Sequence, residues 1–138
     1  MQKRYYFDTS TWLDFLEKRD EPNFPKGTWA RKLIEKIIKE NDKILFSDNN
    51  FFELIHLGYS KLDINNLLNS LKPVIICVES NEKEIGKAKD IALKRNIPKR
   101  DALHALIARD NNAILITLDN HFKRLIDIIK PHSPKEFI

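Results

Sequence analysis

The run Tyr5-Tyr6-Phe7-Asp8-Thr9-Ser10-Thr11-Trp12 decides how the rest of the chain is read. An apolar and aromatic segment ends on Asp8, and hydroxyl residues then open an amphipathic stretch. In an α/β protein this pattern is a first strand, over residues 4–7, that delivers a carboxylate to the carboxyl edge of a sheet. Open α/β folds place their sites at that edge. Taken alone, Asp8 has a simpler explanation, the N-cap of the following helix. The choice turns on whether other segments send carboxylates to the same place.

Outward from this strand, apolar periodicity switches repeatedly between strand and helix. Helical spacing covers residues 10–18, with Trp12, Leu13, Phe15 and Leu16 apolar. Prolines and a glycine make residues 21–27 a loop. Thr28 is the expected cap of a second helix, whose stripe is Trp29, Leu33, Ile34, Ile37 and Ile38. Strands are predicted at residues 43–46, 74–78 and 113–117, with a last edge strand at 126–129. Helices are predicted at residues 49–59, at 62–71 with Asp63 as cap, from the Asn81-x-x-Glu84 capping box to Arg95, at 99–110, and briefly at 119–125. Short, continuously apolar strands joined by helices argue for an α/β fold: a mostly parallel sheet covered on both faces.

The composition agrees. The 138 residues suggest one domain over 1–138, with 42% hydrophobic and 32% charged residues. A net charge of +4 suits a polyanionic partner without demanding one, and the basic residues are spread along the chain. The single cysteine, Cys77, excludes an intrachain disulfide and a cysteine zinc site. Its place in Val74-Ile75-Ile76-Cys77-Val78 predicts a buried structural thiol. No apolar run approaches the roughly 20 residues of a membrane span. Met1-Gln2-Lys3-Arg4 leads directly into the first strand, so a cytoplasmic location with no membrane partner is expected.

Three further acids have the right placement. Asp119 follows the strand Ile114-Leu115-Ile116-Thr117 and opens a helix, as Asp8 does. Asp101 opens the small-residue helix Asp101-Ala102-Leu103-His104-Ala105. Glu53 lies one turn into the helix after the second strand, within Phe51-Phe52-Glu53-Leu54-Ile55. Each has a plain alternative: a cap, a helix-terminus charge or a solvated side chain. Together they do not, because two carboxylates about 4 Å apart repel by roughly 4 kcal/mol at an effective dielectric of 20. A compensating cation is expected, and hard oxygen donors without cysteine or clustered histidine select Mg2+ or Mn2+. Such an ion acidifies a bound water and stabilises charge developing on a phosphate. The four histidines, His56, His104, His121 and His132, show no metal-ligand spacing, and a structural role is expected for His104.

Competing phosphate chemistries fail on residues. A haloacid-dehalogenase-type phosphatase needs an acid where this chain has Ser10, and no acid cluster of the response-regulator kind precedes the first helix. Neither a P-loop nor a Gly-x-Gly-x-x-Gly run is present.

The chain resembles the PIN-domain ribonucleases, and most closely the VapC-type toxins of prokaryotic toxin–antitoxin pairs. The resemblance lies in Phe7-Asp8-Thr9-Ser10, Glu53, Asp101-Ala102-Leu103-His104, Ile116-Thr117-Leu118-Asp119-Asn120-His121-Phe122 and the closing Ser133-Pro134-Lys135-Glu136-Phe137. It implies a five-stranded sheet in the order 3-2-1-4-5 and metal-dependent cleavage of single-stranded RNA. It assigns the catalytic acids to Asp8, Glu53, Asp101 and Asp119. Asp8, Asp101 and Asp119 would hold the Mg2+ or Mn2+ ion, assisted by Glu53. Thr9 or Ser10 would help with a water or cap the first helix in place of Asp8; capping is the expectation. Lys99, Arg100 and Lys123 are the candidate RNA-binding cations. Where the family's last motif often carries a further acid, this chain has Asn120 and His121. The resemblance also implies a homodimer and a cognate antitoxin, for which Trp12, Phe15 and Trp29 would offer either an aromatic surface or core. Two other readings stay open: a PIN-like module that binds RNA or a partner without cutting, and an RNA-processing nuclease that is not a toxin.

Overall fold

The first strand, β1 (Arg4–Phe7), turns Tyr5 and Phe7 to one side and Tyr6 to the other, and all three are buried. Such a strand has to lie mid-sheet with helices above and below. The computed structural model, which describes residues 1–138, has that arrangement. After β1 come α1 (Thr9–Leu16), α2 (Lys26–Lys39), β2 (Lys43–Ser47), α3 (Asp48–His56), α4 (Lys61–Ser70) and β3 (Ile75–Val78). The second half comprises α5 (Glu82–Arg95), α6 (Lys99–Asp110), β4 (Ile114–Ile116) and β5 (Pro131–His132). Single 3-10 stretches cover Asn120–Leu125 and Pro134–Phe137.

The sheet order is β3-β2-β1-β4-β5 and every pairing is parallel, as the resemblance implies. On one face, Tyr5, Phe7, Ile44, Phe46 and Ile116 pack with Trp12 and Leu13 of α1, Leu33 and Ile37 of α2, Leu54 of α3 and Ile64 of α4. On the other, Tyr6, Leu45 and Leu115 pack with Ala88 and Ile91 of α5, the small-residue face of α6, and Phe122 and Leu125. No helix is long and apolar enough to cross a membrane.

The departures from expectation each have a physical cause. Helix α2 starts before Thr28, with Pro25 as its N-cap and no side-chain cap of its own. Asp20 serves from a distance, accepting hydrogen bonds from Thr28 N at 2.8 Å and Thr28 Oγ1 at 2.7 Å. Ser60, not Asp63, caps α4; Asp63 is the reciprocal partner in a capping box. Ser47 likewise caps α3, and Gly58 at φ +103 closes the turn after it. The Asn81–Glu84 capping box forms as predicted. Residues 126–129 are not a strand: Ile128 N and Ile129 N both donate to Leu125 O, folding that apolar run into a turn. The edge strand comes later, with Leu115 opposite Pro131 and Ile116 opposite His132, and an edge tolerates proline. Cys77 is exposed rather than buried, because β3 is the opposite edge strand. Trp12 is core, wedged between Phe7 and Phe46, while Phe15 and Trp29 are half-buried.

Candidate metal-binding and catalytic cleft

The register of β1 and β4 sets Phe7 opposite Ile116, so the residues that follow both strands emerge together at the carboxyl edge. Asp8 follows β1 and Thr117 follows β4. Asp119 comes after one more residue, α3 begins directly at the end of β2, and α6 enters with Asp101 in its first turn. A cleft of about 170 Å³ opens there, lined among others by Asp8, Thr9, Ser10, Glu53, Asp101 and Asp119. All four predicted acids and both hydroxyl residues therefore share one cavity. Of the predicted cations only Arg100 lines it; Lys99 and Lys123 are exposed outside.

The four acids have different environments. Asp8 is buried and remains the N-cap of α1, so neither Thr9 nor Ser10 takes that role. Its Oδ1 accepts from Thr11 N at 2.9 Å and Thr11 Oγ1 at 2.6 Å. Its Oδ2 accepts from Ser10 Oγ at 2.8 Å and Thr117 Oγ1 at 2.6 Å. Four donors occupy the roughly four acceptor positions of a carboxylate. Cap and site residue are thus the same side chain. Thr117, not anticipated as a site residue, links two of the acids, since its Oγ1 also accepts from Asp119 N at 3.0 Å. Its one mark in the sequence is a hydroxyl residue two positions before Asp119.

Asp101 and Asp119 have fewer hydrogen-bond partners than Asp8, and His121 supplies both, its Nδ1 to Asp101 and its backbone N at 2.9 Å to Asp119. Their carboxylate oxygens and a ring nitrogen of His121 all lie within 4.8 Å of one another. His121 Nδ1 is 3.0 Å from Asp101 Oδ2 and 3.5 Å from Asp119 Oδ1. Burial raises the Asp101 carboxyl above its usual range; the hydrogen bond with His121 opposes this and the charge of Asp119 adds to it. Two carboxylates and an imidazole converging in this way suit a divalent cation, with the carboxylates favouring Mg2+ or Mn2+ and the imidazole favouring the softer of the two. The donor set thus fits a metal: Asp101, Asp119 and His121 lie within ligand reach of one another, and Asp8 lines the same cleft. His121 escaped the sequence reading because its partners include a residue on another helix, which histidine spacing does not reveal.

Glu53 faces the same cleft from α3 and is more fully engaged than expected. Thr9 Oγ1 donates to its Oε1 at 2.9 Å, and Arg100 Nε lies 3.3 Å from its Oε2. His104 Nε2 also donates to Oε1. Burial raises the Glu53 carboxyl, but the bond to and charge of His104, with Thr9 and Arg100, outweigh it and hold the group below its usual range. His104 is buried beneath the cleft, so the expected structural role is joined by direct contact with a site acid.

Comparisons with known proteins agree with this architecture. The family model for the PIN domain matches residues 5–127. Among solved structures, a chain of Rickettsia felis VapBC2, bound to a DNA fragment from its promoter, aligns with a TM-score of 0.66 and 22% identity. The alignment covers 94% of this chain and 98% of that one. VapBC-1 from nontypeable Haemophilus influenzae aligns at 0.65 and 22% identity, covering 96% and 98%. A toxin–antitoxin complex from Klebsiella pneumoniae aligns at 0.61 and 14% identity, covering 94% and 97%. Comparison with curated proteins found no match. At these identities the structural likenesses speak for the fold, while the family match spans nearly the whole chain: the protein belongs to the PIN-domain family.

Proposed function

We propose that this protein is a metal-dependent endoribonuclease that cleaves phosphodiester bonds of single-stranded RNA, acting as the VapC-type toxin of a toxin–antitoxin pair. The observation that carries the reading is the convergence of Asp8, Glu53, Asp101 and Asp119 in one cleft, with Asp101, Asp119 and His121 within ligand reach of one another. A bound Mg2+ or Mn2+ ion would supply Lewis-acid stabilisation of phosphate charge and a more acidic water. Asp101, Asp119 and His121 would hold it. Asp8 would contribute anchored negative charge from the neighbouring strand end.

The remaining work falls to the chain's own groups. Glu53, held ionised, is available to orient a water or accept its proton. Arg100 is largely exposed at the rim, so its guanidinium can meet a flanking phosphate without leaving Glu53. Lys99 and Lys123 would act further out, through long-range attraction to the RNA backbone.

Partner binding has its own support. Phe52, Ile55, Leu57 and Leu62 are large apolar residues exposed on and beside α3 and α4, chemistry suited to a partner surface. The fold relatives from toxin–antitoxin assemblies support an antitoxin as one occupant, and a second copy of the chain is the other occupant proposed. Strictly monomeric behaviour, alone and with the neighbouring gene product, would count against both.

The decisive assay is cleavage of single-stranded RNA with Mg2+ or Mn2+, with and without a chelator, by the native protein and Asp101→Asn. Cleavage that needs the metal and is lost in the variant is the expected result. Undiminished activity of Asp101→Asn would sink the assignment. Tight RNA binding with no cleavage under any divalent ion would favour a binding module.

A further inference from the structure

We infer that Tyr6 and His104 are positioning residues for Glu53, forming with Ser47 a buried relay that sets where this carboxylate stands in the cleft. The inference rests on the cleavage reading and deepens it. Tyr6, Ser47 and His104 are each no more than 1% exposed, and they come from β1, β2 and α6. Tyr6 Oη lies 2.7 Å from Ser47 Oγ and 2.5 Å from His104 Nδ1. The other side of the imidazole, Nε2, meets Glu53 Oε1. A carboxylate only accepts, so the proton in that last contact resides on His104.

The relay ties the two sides of the cleft together. Helix α6 brings Asp101 to Asp119 and His121 and, one turn later, His104 to Glu53. Thr9, directly after Asp8, donates to the same Glu53 oxygen and accepts from Asn50 Nδ2 at 3.1 Å. Asn50 Nδ2 also donates to Phe7 O at 3.2 Å, fixing α3 to the end of β1. A glutamate on a helix surface ordinarily samples several rotamers. Here its head group is gripped by Thr9 and His104 on one oxygen and by Arg100 on the other. A phenol and an imidazole buried in contact would be a costly way to fill space, since each buried polar group must find its partner. Ser47 also caps α3, while Tyr6 and His104 lead to Glu53, and outer partners of this kind typically matter by about 10–100-fold.

Two measurements test this. In RNA cleavage, His104→Phe should lower kcat by about 10–100-fold with KM nearly unchanged, and Tyr6→Phe by about 10-fold. His104→Gln, which restores an N–H donor, should recover most of the loss. In a Glu53→Gln background, His104→Phe should cause no further fall. An equal fall with and without Glu53, or unchanged kcat in the single variants, would overturn the relay.

The second measurement needs no activity. NMR of the native protein should show a slowly exchanging His104 Nε2 proton that is lost or strongly shifted in Glu53→Ala. Glu53 is partly solvent-facing, so that variant should fold even if His104→Phe does not. An Nε2 proton indifferent to Glu53 would overturn the relay. Absence of cleavage by the native protein, with the NMR coupling intact, would instead refute the cleavage reading.

Discussion

Asp14 offers a test of how this fold handles a carboxylate placed away from the cleft. It lies on α1 where that helix meets the start of α2, and it is 5% exposed. Its nearest cation, Lys26 Nζ, is 3.8 Å away and is shared with Glu21 at 3.1 Å. Burial is the main influence on Asp14, partly offset by Lys26 and Arg19 and reinforced by Asp8 and Glu21, and its pKa is raised from 3.8 to about 6. The folded protein therefore binds this proton more tightly than the unfolded chain between about pH 4 and pH 6. Stability contributed by Asp14 is present at the acid end of that window and is lost as pH rises through it. A shift of about 2 units corresponds to about 3 kcal/mol. Asp14→Asn keeps the shape and removes the charge. Its stability advantage over the native protein should be near zero at pH 4 and grow to about 3 kcal/mol at pH 7, equivalent to about 10 °C in Tm for a chain of this size. Urea denaturation at pH 4, 5, 6 and 7 reads this directly. An advantage independent of pH would refute the burial argument. A variant less stable than the native protein at pH 7 would show that the Lys26 pairing outweighs desolvation.

Other perturbations probe the cleft and its supports. His121→Ala should weaken Mn2+ binding by about 10-fold or more by calorimetry; unchanged affinity would remove His121 from the proposed ligand set. Thr117→Val, nearly isosteric, loses the bond to Asp8 and the one from Asp119 N. It should cost about 2–3 kcal/mol in urea unfolding, with a parallel loss of cleavage. Gly27→Ala would place a Cβ 2.7 Å from the backbone at Arg19 N and Asp14 O, atoms that cannot rotate aside. Despite alanine's better helix propensity, a net loss of about 1–3 kcal/mol is expected in thermal or urea unfolding.

Much of the architecture was legible from one dimension because its signals are local. Apolar runs, capping residues and helical stripes depend on neighbours a few positions away, and α5 with its Asn81–Glu84 box formed as read. Three of the misplacements share a cause: a residue outside the local window supplied the missing partner or changed the burial. Asp20 supports α2 from across a loop, and edge position exposes Cys77. Pairing with β4 selects Pro131–His132 over the more apolar run before it.

The cleft divides in the same way. That acids follow β1 and β4 and open α6 was written in the sequence, because strand period and chain direction determine which end of a parallel sheet a residue reaches. What each acid does there was decided only by the tertiary structure. Asp8 is saturated by four hydrogen bonds, one of them from Thr117, which is distant in the chain. Asp101 and Asp119 meet His121 instead, and Glu53 is tied through His104 to the middle of the sheet. Hydrogen-bond saturation and charge proximity act over a few ångströms of space, whatever the separation along the chain, so the sequence alone could bring the acids to one edge but not assign their partners.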